Sequence, residues 1–285
     1  MLNSETKKIY IVTAVHNRYK ITELFIDHLL SQTYKDIVLV LVDDGCTDGT
    51  QEMVKSKMAD AVILKGDGNL WWGGALHMGY QWLINNIADD DIVMFANDDT
   101  QFESDYLEIA ADLINKNPKC MITGCGYNKF TNEQVDGVIH WDFKTGTGSG
   151  VLTPTDEGNC ASTRSLFLTG EILRETGGFH PKTLPHYGSD YEWTIRAVRN
   201  GFRILSFEEL KYTFDPGTTG DNDLEKLTVK KLFSKRSSAN PIYKMNFIFL
   251  STPVNYLPKR IGYQIVRYFG KVKTLAKIIG RKEKK

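Results

Sequence analysis

Two acidic turns, each behind a short apolar run, hold the side chains of this sequence best suited to chemistry. The run at 38–42 is followed by Asp43-Asp44-Gly45-Cys46-Thr47-Asp48, and the run at 92–96 by Asn97-Asp98-Asp99. Both runs are rich in β-branched residues, as buried parallel strands are. In open α/β sheets, ligands sit outside the carboxyl ends of the strands, where these acids would stand. Carboxylates repel a phosphate group directly. With a divalent cation between them and the phosphate, they hold it.

The elements that must carry these turns follow from periodicity. Strands are expected at 9–15, 38–42, 61–64 and 92–96, with helices at 21–30, from Thr50 onward, and at 72–85. Thr47 or Asp48 is expected to cap the second helix. This β-α alternation predicts a doubly wound, mostly parallel sheet. Beyond residue 100 the pattern changes. Helices are expected at 106–115, 171–176 and 190–200, strands at 121–126, 135–141 and 164–168, and loops at 144–150 and 214–223. The polar 214–223 loop has the composition of a lid.

The 285 residues allow one large domain with an appendage, 1–225 and 226–285. The net charge of zero hides an asymmetry. Residues 226–285 carry 16 Lys/Arg against one acid, and residues 1–225 carry 19 Lys/Arg against 34 Asp/Glu. From Ile261, apolar residues recur at helical spacing (Ile265, Tyr268, Phe269, Val272, Leu275, Ala276, Ile279), with Arg267, Lys271, Lys273, Lys277 and Arg281 around them. A basic amphipathic helix of this kind suits an anionic membrane surface or docking on the protein's own core; nucleic acid is the least favoured partner. The four cysteines form no CxxC pair, which points to a reducing compartment and to buried thiols rather than zinc. The first eight residues lack an apolar signal core, and no apolar stretch approaches the ~20 residues of a spanning helix.

Four motifs in order carry a resemblance: Val12-Thr13-Ala14-Val15-His16-Asn17-Arg18, Val42-Asp43-Asp44-Gly45, Asn97-Asp98-Asp99, and His186-Tyr187-Gly188-Ser189-Asp190-Tyr191-Glu192-Trp193. Across roughly residues 8–215 the chain resembles a family 2 glycosyltransferase of the GT-A fold. The segment Gly68-Asn69-Leu70-Trp71-Trp72-Gly73-Gly74-Ala75 is similar to bacterial polysaccharide enzymes, including rhamnosyltransferases. The resemblance implies a nucleotide-binding half at about 1–100 and an acceptor half at about 101–225. It implies Mg²⁺ or Mn²⁺ as cofactor, a nucleotide-diphosphate sugar as donor (dTDP-rhamnose or a UDP-hexose), and a saccharide or lipid-linked saccharide as acceptor. It also implies work at the cytoplasmic, inner face of a bacterial membrane, with a homodimer left open.

Site roles follow from the same resemblance. Thr13, Ala14, Val15, Asn17, Arg18 and Asp44 would hold the base and ribose. Asp99 would bind the metal, with Asp98 on metal or ribose and Asn97 beside them. Asp190 would be the base that takes the acceptor proton, which predicts inversion at the anomeric carbon. In that motif Ser189 stands where the family usually has Glu, and Asn97 where many members have Asp. Trp72 would wall the donor sugar, Asp67 reach the diphosphate or sugar, Arg164 meet a phosphate of donor or acceptor, and His186 complete the metal site or touch the acceptor. No Gln-x-x-Arg-Trp sequence follows Asp190, which favours transfer of a single sugar over processive synthesis. A nucleotidyltransferase or dehydrogenase would need glycines after the first strand, where this chain has His16-Asn17-Arg18. A catalytically inactive nucleotide-sugar or carbohydrate-binding domain is the remaining alternative.

Overall fold

The computed structural model describes residues 7–150, 157–218 and 229–268. The first half alternates as expected: β1 (Ile9–Val15), α1 (Tyr19–Leu30), β2 (Ile37–Asp43), α2 (Thr50–Lys57), β3 (Val62–Lys65), α3 (Trp71–Leu83) and β4 (Ile92–Ala96). The second half adds β5 (Gln101–Phe102), α4 (Tyr106–Lys116), β6 (Cys120–Asn128), β7 (Gln134–Asp136), β8 (Val138–Asp142), β9 (Thr147–Gly150), β10 (Glu157–Gly158) and β11 (Cys160–Ala161). It continues with β12 (Ser165–Thr169), α5 (Gly170–Thr176), α6 (Ser189–Arg199) and β13 (Arg203–Phe214), followed by α7 (Val229–Leu232) and α8 (Pro241–Ser251). Residues 257–268 are helical as well.

The main sheet runs β10-β13-β6-β12-β4-β1-β2-β3, with β5 on β13 and β7 on β6. β3, β2, β1 and β4 are parallel, β12 is antiparallel to both β4 and β6, and β13 is parallel to β6. The chain moves outward from β1 to β3 and then returns to β4 on β1's other side. That reversal opens a crevice at the carboxyl ends of β1, β2 and β4, the position where open α/β sheets take ligands.

Two-residue periodicity sorts the central strands onto two cores. Ile9, Ile11, Ile92 and Met94 face one core with Phe25, Leu29, Val54 and Ile114; Tyr10, Val12, Val93 and Phe95 face the other with Leu76, Leu173 and Trp193. Helices therefore cover both faces, and the expected α/β class is the observed one.

Three local expectations change. The run read as one strand at 135–141 breaks at Gly137. β7 stays on the main sheet, while β8 joins β9 and β11 in a separate three-stranded sheet. Part of the loop expected at 144–150 is β9, because Thr147 to Gly150 pair back on β8. β13 carries no sequence expectation: it pairs with β6, Arg203 with Cys120 and Phe214 with Asn128, far apart in sequence, and a bulge between Phe207 and Lys211 interrupts its alternation. In the 214–223 loop, Pro216–Thr218 form a 3₁₀ turn, and 219–223 lie outside the described residues.

The C-terminal region is not a detached extension over its described part. Asn246 Nδ2 donates to Thr183 O (2.9 Å), Arg199 Nη1 to Leu250 O (3.1 Å), and Phe247 packs edge-on to Trp141. The boundary drawn at 225/226 therefore does not separate 229–251 from the domain. The amphipathic pattern from Ile261 is helical as far as residue 268, and 269–285 lie outside the described residues. Among the described residues no helix is long and apolar enough to cross a membrane. All four cysteines are free, and Cys120, Cys125 and Cys160 are buried.

Candidate active site

A cavity of about 340 Å³ opens at the crevice and gathers residues from three of the four motifs: Ala14 and Arg18 at the end of β1, Asn97 and Asp98 after β4, and His186, Tyr187 and Asp190 around the start of α6, joined by Trp72 on α3 and Arg164 before β12. Ser162, Thr163 and Arg236 complete the wall.

The acidic turn after β4 is built from paired charges. Asp98 is buried; its Oδ2 accepts from Thr22 Oγ1 (2.9 Å) and lies 3.2 Å from Arg18 Nε. Burial pushes its carboxyl up to about 6, against the pull of Arg18. Asp99 lies between two guanidiniums, 2.6 Å from Arg164 Nη1 and 3.6 Å from Arg18 Nη2. Arg164 reaches on to Asp136 Oδ2 at 3.4 Å and lies 3.9 Å over the Phe214 ring. Asp136 also accepts from Ser162 Oγ and Tyr212 OH, both at 2.9 Å.

Asp190 enters from the opposite wall, in the first turn of α6. Its carboxylate accepts from the Tyr191 N–H (2.9 Å), and burial lifts its pKa to about 6, with Asp136 adding to the rise and Arg164 opposing it. Gly73 sets the position of this helix start. A Cβ there would lie 2.4 Å from Leu184 O and 2.9 Å from Ser189 Cβ, and its N–H donates to Pro185 O (2.8 Å). Only glycine lets α3 approach the 184–189 segment so closely, bringing Trp72 and Asp190 to one cavity. Trp72 is held there by an Nε1–H bond to Thr163 Oγ1 (3.0 Å).

His186 lines the cavity with a neutral imidazole. Burial, aided by the charge of Arg236, lowers its pKa to about 4. Its ring lies 5.5 Å from that of Trp71, and its buried Nδ1 has no hydrogen-bond partner. Trp71 itself has φ +60°, which a bulky side chain adopts only when its surroundings enforce it.

Several expected contacts lie elsewhere. Asp44 is buried, and its carboxylate accepts backbone N–H groups of Gly68, Leu70 and Trp71 at 2.9–3.2 Å. With both carboxylate oxygens taken up by these amides, it shapes the loop after β3 and does not line the cavity. A Cβ at Gly66 would meet Asp44 Oδ1 at 2.7 Å, so glycine permits the wrap. Asn17 (φ +52°) accepts from Thr47 N (2.8 Å), tying the first loop to the second. Asp67 is exposed and accepts from Asn69 N–H in a local turn. Thr13 and Val15 are buried in β1, so Ala14 alone of that triplet reaches the cavity. Gly49 occupies the N-cap position of α2, and Asp48 just before it accepts the first N–H of the helix, from Thr50 (3.2 Å), together with Thr50 Oγ1 (2.6 Å) and Tyr19 N (2.9 Å).

The donor set suits a hard divalent cation: carboxylate oxygens, with no thiolate at the turn. Among the described residues no three His, Cys, Asp or Glu side chains converge on one point, so His186 does not join Asp98 and Asp99 in a preformed cage. One or two carboxylates with the remaining ligands from substrate phosphates and water is the usual way Mg²⁺ is held. Asp98 and Asp99 fit that arrangement. Asp136 and Arg236 carry no local sequence signal: the first sits in a run that reads as one strand, and the second is one of 16 cations in residues 226–285.

Known proteins share this chain's family and its fold. The profile of glycosyl transferase family 2 matches residues 10–169. The glycosyltransferase GlyA of Streptococcus pneumoniae is 31% identical over 103 residues, covering 35% of this chain and 14% of that protein. The mannosyltransferase PcManGT of Pyrobaculum calidifontis, solved with GDP-Man and Mn²⁺, superposes with a TM-score of 0.56 at 14% identity over 97% of this chain and 81% of that one. GalNAc-T7, solved with UDP, GalNAc and Mn²⁺, gives a TM-score of 0.61 at 14% identity over 75% and 44% of the two chains. This chain thus spans about a seventh of its pneumococcal relative. The fold is GT-A, and with the profile covering more than half of its length the chain belongs to glycosyl transferase family 2.

Proposed function

We propose that this protein transfers a single sugar from a nucleotide-diphosphate sugar to a saccharide acceptor, with inversion at the anomeric carbon. The observation that carries the reading is the desolvated Asp190 carboxyl in one cavity with Arg18, Asp98 and Arg164. A carboxyl raised to about 6 is ionised at neutral pH yet basic enough to accept a proton. Asp190 takes the proton of the acceptor hydroxyl as its oxygen bonds to the anomeric carbon, and the bond to the diphosphate oxygen breaks on the opposite face. Arg18 and Arg164 stand where the leaving diphosphate gathers charge, and Trp72 excludes water from the sugar side. Asp99 and Asp98 would hold Mg²⁺ or Mn²⁺, which when bound neutralises charge on the diphosphate. The Mn²⁺ bound by PcManGT and GalNAc-T7 supports that assignment.

The donor reading favours dTDP-rhamnose or a UDP-hexose. A lipid-linked acceptor at an anionic membrane face is supported by the region 229–268, which holds eight Lys/Arg and no Asp or Glu. The deciding experiment measures binding and hydrolysis across a panel of nucleotide sugars, with Mn²⁺ or Mg²⁺ and then with chelator, on wild type and Asp99→Ala. Metal-dependent binding of one donor, lost in the variant, is the expected result. Binding of a sugar nucleotide with no transfer to any saccharide would instead favour an inactive binding domain.

A further inference from the structure

Three arginines line the cavity, and the folded protein accounts for the charge of two. Arg18 pairs with Asp98 and Asp99, and Arg164 with Asp99 and Asp136. Arg236 lies between α7 and α8, and no carboxylate among the described residues pairs with it.

Its backbone is fixed from several sides. Asn240 is buried; its Nδ2 donates to Ser234 O (3.1 Å) and its Oδ1 accepts from Ile242 N (3.0 Å), which closes the turn and caps α8. Lys235 Nζ donates to Asn69 O (3.3 Å), and Tyr268 OH to Ala239 O (3.1 Å). α8 then rests on the start of the helix that carries Asp190. Gly188 has φ +83°, and a Cβ there would lie 3.2 Å from the Phe247 ring. A guanidinium held at a cavity on ordered backbone, with no protein carboxylate to answer it, suits an anion delivered by a ligand.

We propose that Arg236 binds a phosphate group of the substrate, which makes the 233–251 segment part of the active site. The inference rests on the transferase reading, under which two substrates can bring that phosphate: the diphosphate of the donor, or the phosphate of a lipid-linked acceptor.

The test compares wild type with Arg236→Gln and Arg236→Lys in the full chain. UDP, dTDP and GDP are titrated with Mn²⁺ beside the matching monophosphates. Kinetics are run with a lipid-diphosphate saccharide and with the same saccharide lacking lipid and phosphate. A donor contact predicts that Arg236→Gln weakens diphosphate binding about tenfold or more, spares the monophosphates, and is partly rescued by lysine. An acceptor contact predicts unchanged diphosphate binding and a KM for the lipid-diphosphate acceptor raised about tenfold, with the phosphate-free acceptor unaffected. Unchanged behaviour towards every ligand overturns the inference. So does a uniform loss accompanied by a lower melting temperature, which marks a structural role. Wild-type protein that binds no nucleotide overturns the transferase reading, and the Arg236 inference with it.

Discussion

Arg164 Nη1 lies 2.6 Å from Asp99 Oδ1, so the acid expected to hold the metal is already paired with an arginine that lines the cavity, while Asp99 itself faces a neighbouring pocket beside Asp98 and Thr100. Arg164 also answers Asp136. Removing it leaves the buried Asp99 without its nearest guanidinium, and the half-buried Asp136 with its hydrogen bonds from Ser162 and Tyr212 but without its ion pair. Arg164→Gln is expected to lower stability by about 3–5 kcal/mol, the usual result of breaking a buried ion pair from one side. It should also bind Mn²⁺ more tightly in the absence of nucleotide, while nucleotide-diphosphate binding weakens. Denaturant titration with Mn²⁺ electron paramagnetic resonance tests both halves; weaker Mn²⁺ binding would show that Arg164 does not compete with the cation.

Asp99→Asn keeps the side chain's size and removes one charge. Under the proposed function Asp98 and Asp99 are the carboxylates that hold the metal, with no third His, Cys, Asp or Glu converging on them among the described residues, so metal and nucleotide should bind as a unit. The variant is expected to lose about 10²–10³-fold in kcat/KM, the scale of removing one electrostatic stabiliser of a transition state. Isothermal titration of nucleotide with and without Mn²⁺ should show the metal's contribution vanish in the variant. A variant whose nucleotide binding still responds to Mn²⁺ would move the metal to other ligands.

The raised pKa of Asp190 has two consequences of defined sign. As a base it must be ionised, so kcat should rise with pH through about 6 and level off above it. Asp190→Asn should lose that limb and about 10²–10⁴-fold in rate while retaining donor affinity. For stability the sign reverses. The native carboxyl holds its proton from its ordinary value of 3.8 up to about 6, while the unfolded chain has released it, so stability falls as pH rises through that window. Asp190→Asn should therefore be more stable than wild type at pH 7, by on the order of 3 kcal/mol, and the gap should narrow towards pH 4. Urea midpoints at the two pH values decide it; a variant less stable at pH 7 contradicts the assignment.

The acids were legible because a parallel α/β pattern fixes where strand ends lie. Asn97, Asp98 and Asp190 needed only local periodicity and a motif to be placed at one crevice. Asp44 was legible as a strand-end acid but not as a loop organiser, since its partners are backbone amides 24–27 residues onward. Asp136 was opaque for a different reason. Its meaning depends on Arg164, Tyr212 and Ser162, all supplied by sheet pairings distant in sequence. Arg236 reads as one more tail cation until α8 is seen docked on α6.

Gly73 tests how the cavity is assembled. Alanine there would bring Cβ to 2.4 Å from Leu184 O, a backbone atom that cannot rotate away. Overpacking of this kind costs typically about 1–3 kcal/mol. Gly73→Ala should unfold at lower denaturant, and in the folded protein the displaced 184–189 segment should lower kcat more than it raises the donor KM. Gly74→Ala is the control, since its nearest contact is the Leu70 side chain at 3.3 Å. Equal effects of the two substitutions would refute the packing argument.

The C-terminal region makes a prediction about membranes that charge alone does not. Phe233, Ile242, Phe249, Val254, Ile265 and Val266 are exposed, Val254 and Val266 at 81% and 70%, in a stretch whose ionisable residues include no Asp or Glu. Basic residues give attraction that salt screens over a Debye length of about 8 Å at physiological ionic strength, whereas buried apolar area is not screened. The full chain should therefore bind vesicles containing anionic lipid, weaken as salt is raised, and retain a fraction at 0.5 M, a concentration chosen to screen the charges. A variant with Phe249, Val254 and Val266 changed to serine should keep its low-salt binding and lose the salt-resistant fraction. Deletion of the region from residue 226 is the wrong control, because it also removes α8 from beneath Asp190's helix. Complete release of wild type at high salt would reduce the interaction to electrostatics, and no binding at low salt would remove the membrane from the proposal.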